Sequence, residues 1–338
     1  MTIREQIENR EYEILSPFAA HAKESKGRTH PQNEDDLRTC YQRDRDRILH
    51  SKSFRRLKNK TQVFLEPEGD HYRTRLTHTL EESQIARTIG KALALNEDLI
   101  EAIALGHDLG HTPFGHSGEA VLNKVLKTYG YSGFKHSDQS VRIVEVIEND
   151  GRGLNLTYET VDGIRNHGID VFPETLEGKI VRIADKAAYI HHDTDDAIRA
   201  GVLSEDDIPE VFQKTLGNSV KKRLKTMVTD VITASEGIND IRYSEEIGQA
   251  VAEFRAFMFR NVYQSQIVKQ EEKKAQDMIE AMFHYYMEHP DFMPASYRIF
   301  LESEELPIVV SDYISGMTDQ FAVQKYEEIF VPKGWKNL

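Results

Sequence analysis

The stretch LGHDLGHTPFGHSGE, Leu105 to Glu119, gathers His107, Asp108, His111, His116 and Glu119 in one short segment punctuated by Gly106, Gly110, Pro113, Gly115 and Gly118. The run before it, DLIEAIALGH, is apolar at helical spacing, with Ile100, Ile103, Ala104 and His107 on one stripe. This predicts a helix over 98–109, with His107 on or beside its buried face and Asp108 next to it. Pro113 disfavours helical geometry at Thr112 and cannot continue the ladder, so the helix stops. His111 and His116 then follow on a tight loop that the glycines permit. A single buried histidine is more often a hydrogen-bonded core residue than a ligand. Density alters that balance, because nine of the 14 histidines fall between His71 and His192. A core helix has no reason to end in five polar, titratable side chains; a metal or acid–base site does.

At 338 residues the chain has room for two average domains or one large helical body. Hydrophobic residues make up 39%, so a full core forms without disulfides or a structural metal. Cys40 is the only cysteine and has no intramolecular partner, which fits a reducing cytoplasm. The start, MTIREQIENREYEIL, has no apolar signal core, and nowhere do 18 apolar residues run together, so neither secretion nor a membrane span is expected. The net charge of −13 argues against general duplex binding. Against that background Lys52, Arg55, Arg56, Lys58 and Lys60 form a basic island, followed by Arg73 and Arg75. Such an island suits a small polyanion such as a nucleotide triphosphate. The plainer reading is a solvated helix face.

Taken in order, residues 1–35 are polar and read as a surface segment with a loop at HPQNEDD. Residues 36–60 suit one or two amphipathic helices, and TQVFLEPEGDHYRTR (61–75) is the only plausible two-strand element. Helices are then expected over 76–95, with His78 near the N-terminus, over 98–109, 117–128 and 137–149, the last with Ser137 as N-cap. Thr157–His167 and residues 176–201 continue the series. On the latter helix Val181, Asp185, Tyr189 and Asp193 repeat every four residues, so a carboxylate leaves an apolar stripe. Residues 205–338 show helical periodicity again, with an aromatic-rich stretch at 250–269, a solvated EEKK face at 271–274 and a final helix over 314–330. The expected fold is all-α, organised as an N-terminal helical segment (1–65), a core (66–200) and a C-terminal helical region (201–338).

A site needs ligands from separate elements. His78, the His107–Asp108 pair and Asp185 come from three predicted helices facing inward. Two imidazoles and two carboxylates form a mixed N/O set that suits Mn, Fe, Co, Ni or Mg better than an all-Cys zinc site does. Four protein ligands leave positions on a six-coordinate ion for water and a substrate oxygen.

This order, a His, an HD pair about thirty residues on and a distant Asp, resembles the HD superfamily of metal-dependent phosphohydrolases. The chain is similar to one branch, the deoxynucleoside triphosphate triphosphohydrolases or dGTPases. FRRLKNKTQVF (54–64), RTRLTHTLE (73–81), LGHDLGHTPFGHSGE, FKHSDQSVRIV (134–144), RIADKAAYIHHDTDDA (182–197) and ISGMTDQFA (314–322) carry the resemblance. It implies an all-α HD fold with a helical C-terminal extension, and hydrolysis of a dNTP to deoxynucleoside and inorganic triphosphate by water attack at the α-phosphorus. By the same resemblance His78, His107, Asp108 and Asp185 hold one divalent ion. His116, oriented by Glu119, is the general acid at the 5′ oxygen, and His111 and His136 contact the phosphates. Arg75, Lys186 and Arg255 neutralise the triphosphate, Gln62, Tyr189 and Asp193 line the deoxyribose, and Tyr263 crowds its 2′ position. Ser265 stands two residues after that tyrosine, where the family pattern has a histidine. The resemblance also implies a homo-oligomer; the aromatic-rich stretch at 254–263 is its expected contact surface, the plainer reading of such a stripe being core. Rival readings are an HD phosphodiesterase, an alarmone pyrophosphohydrolase, or a nucleotide sensor binding single-stranded nucleic acid through the basic island. A dNTP effector at a second site and single-stranded DNA remain open as partners.

Overall fold

The computed structural model describes residues 1–62, 73–168, 171–263 and 266–334, with the side chains of residues 263 and 266–268 left aside. The fold is all-α: among the described residues there is no strand, only the isolated bridges Arg28–Thr157 and Thr61–Thr74. The second bridge closes the two ends of the expected two-strand element, whose middle lies outside the described residues. The helices of the first half are α1 (Ile3–Ile14), α2 (Cys40–Leu49), α3 (Lys52–Arg56), α4 (Arg75–Ala92), α5 (Glu97–Gly106), α6 (His116–Thr128), α7 (His136–Arg142), α8 (Glu148–Gly151), α9 (Tyr158–Arg165) and α10 (Leu176–Arg199). The second half adds α11 (Glu210–Thr215), α12 (Val220–Ser235), α13 (Glu245–Met258), α14 (Gln266–Glu288), α15 (Ala295–Arg298), α16 (Leu306–Ser315) and α17 (Asp319–Phe330).

Caps set where these helices begin. Thr74 Oγ1 accepts the Thr77 N–H at 3.4 Å to start α4, Asn96 Oδ1 accepts the Asp98 N–H at 3.2 Å to start α5, and Thr175 Oγ1 accepts the Gly178 N–H at 3.1 Å to start α10. These three helices pack on one another, with α2 against α5. Ile85, Ile89, Leu99, Ile100, Ile103, Ile180, Val181 and Ala184 fill the space between them. Each fully buried aliphatic side chain there contributes roughly 1.5–3 kcal/mol, which holds the three backbones in one relation. A neighbouring core built on Ile48, Leu57, Leu105, Leu109 and Ile164 lies beside the HD segment. The C-terminal helices wrap this body: α12 and α13 lie on α10, and α14 and α16 lie on α6. No described helix is long and apolar enough to cross a membrane.

Four local expectations change. The N-terminal surface segment contains helix α1, started by a Thr2–Glu5 capping box, and its Glu8 and Glu11 are buried. The helix expected at 137–149 starts one residue before Ser137, with Lys135 in the cap position. It passes into a π-helical turn at Ile143–Ile147 and ends where Asn149 and Asp150 take left-handed backbone angles. The final helix is two, because Thr318 Oγ1 caps α17 through the Phe321 N–H (3.4 Å) and α16 stops at Ser315.

Candidate metal centre and its surround

Helix α4 contributes His78 one turn after its start, fully buried, and α10 contributes Asp185; His78 Nε2 lies 3.6 Å from Asp185 Oδ1. At the end of α5, His107 donates Nδ1–H to the Ala104 carbonyl at 2.7 Å. That bond fixes the ring and leaves Nε2 as a bare lone pair. This lone pair sits 3.2 Å from Asp108 Oδ1 and 3.1 Å from Glu82 Oε2, with no hydrogen bond to either. Glu82 also forms a convergent group with His78 and Asp185, so it joins the two halves. His78 Nε2, His107 Nε2 and both Glu82 oxygens are buried without a hydrogen-bond partner. Unsatisfied lone pairs in the interior are costly, and a divalent cation is the species that satisfies all of them together. The residues therefore fit a metal ion.

Asp108 is held by two neighbours. Arg75 Nη1 donates to its Oδ2 at 2.6 Å, and His111 Nε2 lies 3.2 Å from its Oδ1. Burial works to raise the Asp108 pKa, but His107, His111 and Arg75 together hold it well below the usual range. In Asp185, burial is likewise overcome, and its pKa is held below the usual carboxylate range where His78 and His107 face it. Burial, then the charges of Arg75 and His136, keep His111 neutral. Its Nε2–H therefore faces Asp108. Glu82 is driven the other way: burial, then Asp185 and Asp108, raise it well above an ordinary carboxyl.

Beyond the metal cluster the chain makes a tight approach. Phe114 and Gly115 take positive φ of 61° and 55°, and His116 is the first residue of α6 rather than part of the loop. Its Nδ1 lies 3.3 Å from Glu119 Oε2 and its side chain is 72% exposed, so it faces solvent. Glu119 also accepts from the His136 backbone N–H at 2.9 Å and from His136 Nδ1 at 3.1 Å. Burial opposes ionisation of Glu119, but the bonds from His116 and His136 hold its pKa far below the ordinary value. For His136, burial lowers the pKa and the bond to Glu119 outweighs it, leaving it raised. The His111 and His136 rings stack with centroids 3.9 Å apart.

The other expected residues divide. Lys186 lies half-buried on α10, its pKa lowered by burial, then by the charges of Arg182 and Arg255, so the three cations share a region. Asp193 is fully buried, Tyr189 packs against the apolar cluster of α10 and α13, and Gln62 Oε1 is buried without a described partner. The Tyr263 side chain and Ser265 lie outside the described residues. The basic island does not act as one surface. Lys60 is buried, donating to the Ser315 carbonyl at 2.8 Å and to the His111 carbonyl, Arg56 donates to the Gly316 carbonyl at 3.1 Å, and Arg73 pairs with Glu81 and Asp196. Lys52, Arg55 and Lys58 stay exposed, the first two on the rim of a separate cleft. Sequence reading missed Glu82, His192, Arg182 and His167, whose Nε2 lies 3.1 Å from His136 Nε2. Glu82 follows His78 by four residues and Arg182 precedes Lys186 by four, a spacing that puts each pair on one helix face. His167 and His192 offer no such sign.

An HD domain model matches residues 75–190, and a phosphohydrolase-associated domain model matches residues 241–328. The fold and site thus define an HD-domain hydrolase. The chain is 56% identical to a deoxyguanosinetriphosphate triphosphohydrolase-like protein of Caldanaerobacter subterraneus over 99% of this chain and 98% of that one. Proteins of the same description from Clostridium perfringens and Clostridium tetani are 49% and 47% identical, each over 98% of this chain and 99% and 97% of theirs. The chain belongs to this deoxyguanosinetriphosphate triphosphohydrolase-like family.

Proposed function

We propose that the protein hydrolyses deoxynucleoside triphosphates to the deoxynucleoside and inorganic triphosphate, by water attack at the α-phosphorus. The observation that carries this reading is the pair of bare, buried lone pairs on His78 and His107 between Asp108 and Asp185, beside the solvent-facing His116–Glu119 pair. A divalent ion held by His78, His107, Asp108 and Asp185 supplies Lewis acidity to a phosphoryl oxygen and acidifies water. Arg75 and His111 fix the Asp108 carboxylate, so in this reading Arg75 acts on the triphosphate through that carboxylate more than as a free cation. His136, its pKa raised by the bond to Glu119 against the effect of burial, is assigned to the phosphates together with Lys186 and Arg255, in a reaction that depends on positioning and charge neutralisation. His116 donates the proton that the departing 5′ alkoxide needs, with Glu119 holding the ring. Gln62, Tyr189, Asp193 and Tyr263 are assigned to the sugar, which would favour a deoxyribose.

The test is product analysis with each of the four dNTPs in Mn²⁺ or Mg²⁺, run in ¹⁸O-labelled water. Intact inorganic triphosphate carrying the label is the expected product. Pyrophosphate with a deoxynucleoside monophosphate, or label in the nucleoside 5′-hydroxyl, would overturn the reading.

A further inference from the structure

His78 has a second nitrogen, and it does not face the metal site. Its Nδ1 lies 3.1 Å from Nδ1 of His192, and the two rings meet edge-on at 83°. His192 is 2% exposed and turns its Nε2 toward Glu81, 3.0 Å from Oε2. The same carboxylate oxygen accepts from Arg73 Nε at 2.9 Å, and Arg73 Nη1 reaches Asp195 and Asp196 at 2.9 and 2.8 Å. Glu81 follows His78 by three residues on α4, and His192 follows Asp185 by seven, two turns along α10. Each of these helices thus carries one candidate ligand and one group of the second pair.

The protons in this chain of contacts admit one arrangement. A carboxylate held by an arginine only accepts, so His192 Nε2 must carry a hydrogen. One hydrogen lies between the two Nδ1 atoms, and His78 Nε2 meets no acceptor within hydrogen-bond distance, so His192 Nδ1 is the atom that accepts. Among the described residues the group facing it is His78 Nδ1, which must therefore hold the hydrogen of its ring. His78 Nε2 is left as a lone pair, and it is one of the buried nitrogens with no partner. The opposite tautomer of His78 alone would set two lone pairs against each other at 3.1 Å and aim a hydrogen into the cation site, and reversing His192 as well would turn its bare Nε2 on the Glu81 carboxylate at 3.0 Å. Proteins commonly orient a metal-bound imidazole through a carboxylate or carbonyl on its far nitrogen. Here a second imidazole is interposed, while His107 uses the Ala104 carbonyl for the same end.

We infer that His192 and Glu81 are positioning residues: they lock His78 in the Nδ1–H tautomer and present its Nε2 to the metal, bracing α4 against α10. This rests on His78 being a ligand. The probe is Mn²⁺ alone, with its dissociation constant measured by chelator competition on the full chain, without substrate. His192→Phe keeps a packed ring but removes the acceptor for His78 Nδ1–H, and Glu81→Gln removes the charge that sets the relay. Both should bind Mn²⁺ about 10–100-fold more weakly while keeping the parental circular dichroism spectrum. In the metal-free parent, long-range ¹H–¹⁵N correlation spectra of ¹⁵N-histidine protein should show His78 as the Nδ1–H tautomer. An Nε2–H tautomer in the parent overturns the proposal. So does a folded Glu81→Gln or His192→Phe protein with parental Mn²⁺ affinity, since a merely structural brace would lower stability and leave affinity alone. If His192→Phe does not fold, Glu81→Gln and the parental tautomer decide. A His78→Ala protein that keeps its ion at parental affinity would defeat the ligand assignment itself, separately from the relay.

Discussion

Asp319 shows how far outside the HD segment the site is supported. It opens α17 and is 4% exposed, yet its Oδ1 accepts the Phe114 N–H at 3.0 Å and its Oδ2 accepts the Thr61 N–H at 2.8 Å and the Thr61 hydroxyl. Phe114 is held at φ 61°, a conformation that a side-chain-bearing residue keeps only when its surroundings impose it. Replacing Asp319 by Ala strands two buried N–H groups at roughly 1–3 kcal/mol each. Burial has also raised the Asp319 pKa, so part of that cost is offset by removing a poorly solvated carboxylate. A net loss of about 2–4 kcal/mol follows. Phe114 then relaxes and carries His116 with it, and a displacement of about 1 Å at a reacting group can lower turnover by about 10²-fold. The candidate metal ligands sit on or beside α4, α5 and α10 and are untouched. Thermal unfolding, metal content by elemental analysis and triphosphate release should be measured on one Asp319→Ala preparation. The melting temperature should fall, the ion should stay, and kcat should drop by about 10–100-fold. Parental kcat alongside a lowered melting temperature would refute the coupling of α17 to His116, and an unchanged melting temperature would refute the energetic argument.

His116→Ala should retain the ion and bind dNTP while kcat falls by roughly 10²–10⁴; near-parental kcat would remove it as the general acid. Gly110→Ala places a Cβ 2.3 Å from the His136 carbonyl oxygen and the Ser140 nitrogen. Backbone cannot yield there, so α7 should shift, lowering both melting temperature and turnover, and an unaffected variant would contradict the packing. Glu11 accepts from the Ala22 N–H at 2.7 Å and from Asn96 Nδ2 at 3.1 Å, and burial pushes its carboxyl from 4.5 up to about 7. The native state therefore keeps that proton longer than the unfolded chain does. Its contribution is fully present below about 4.5 and is lost as pH rises through about 7. Relative to Glu11→Gln, the parent should lose on the order of 2 kcal/mol between pH 5 and pH 8, allowing for partial solvent access. Parallel stability curves from denaturant titrations across that range would refute it.

The helices over 76–95, 98–109 and 176–201 are legible because their apolar residues recur at 3.6 spacing and face a common core. The HD segment is legible because glycine and proline confine its titratable groups to a few residues. Glu82 reads from sequence as one more acid on a charged helix; only the approach of α5 and α10 shows that it is buried among them. His192 is obscured by its neighbour His191 and by three nearby aspartates, and its value depends on meeting His78 from 114 residues away. The basic island misleads because charge counts do not show which cations turn inward: Lys60 and Arg56 cap carbonyls of the C-terminal helices. The break between α16 and α17 has a cap, Thr318, but the apolar residues on both sides keep helical phase across it.

Asp319 also bears on the order in which the protein becomes competent. The chain leaves the ribosome from its N-terminus, so α4, α5 and α10 can pack well before residue 319 exists. Until then the Thr61 and Phe114 amides have no acceptor and nothing holds Phe114 in its left-handed turn. With His116 as the proposed general acid, catalytic competence is delayed relative to the folding of α4, α5 and α10. On the proposed ligand set, a nascent chain captures its ion early and remains silent until its last tenth has been made.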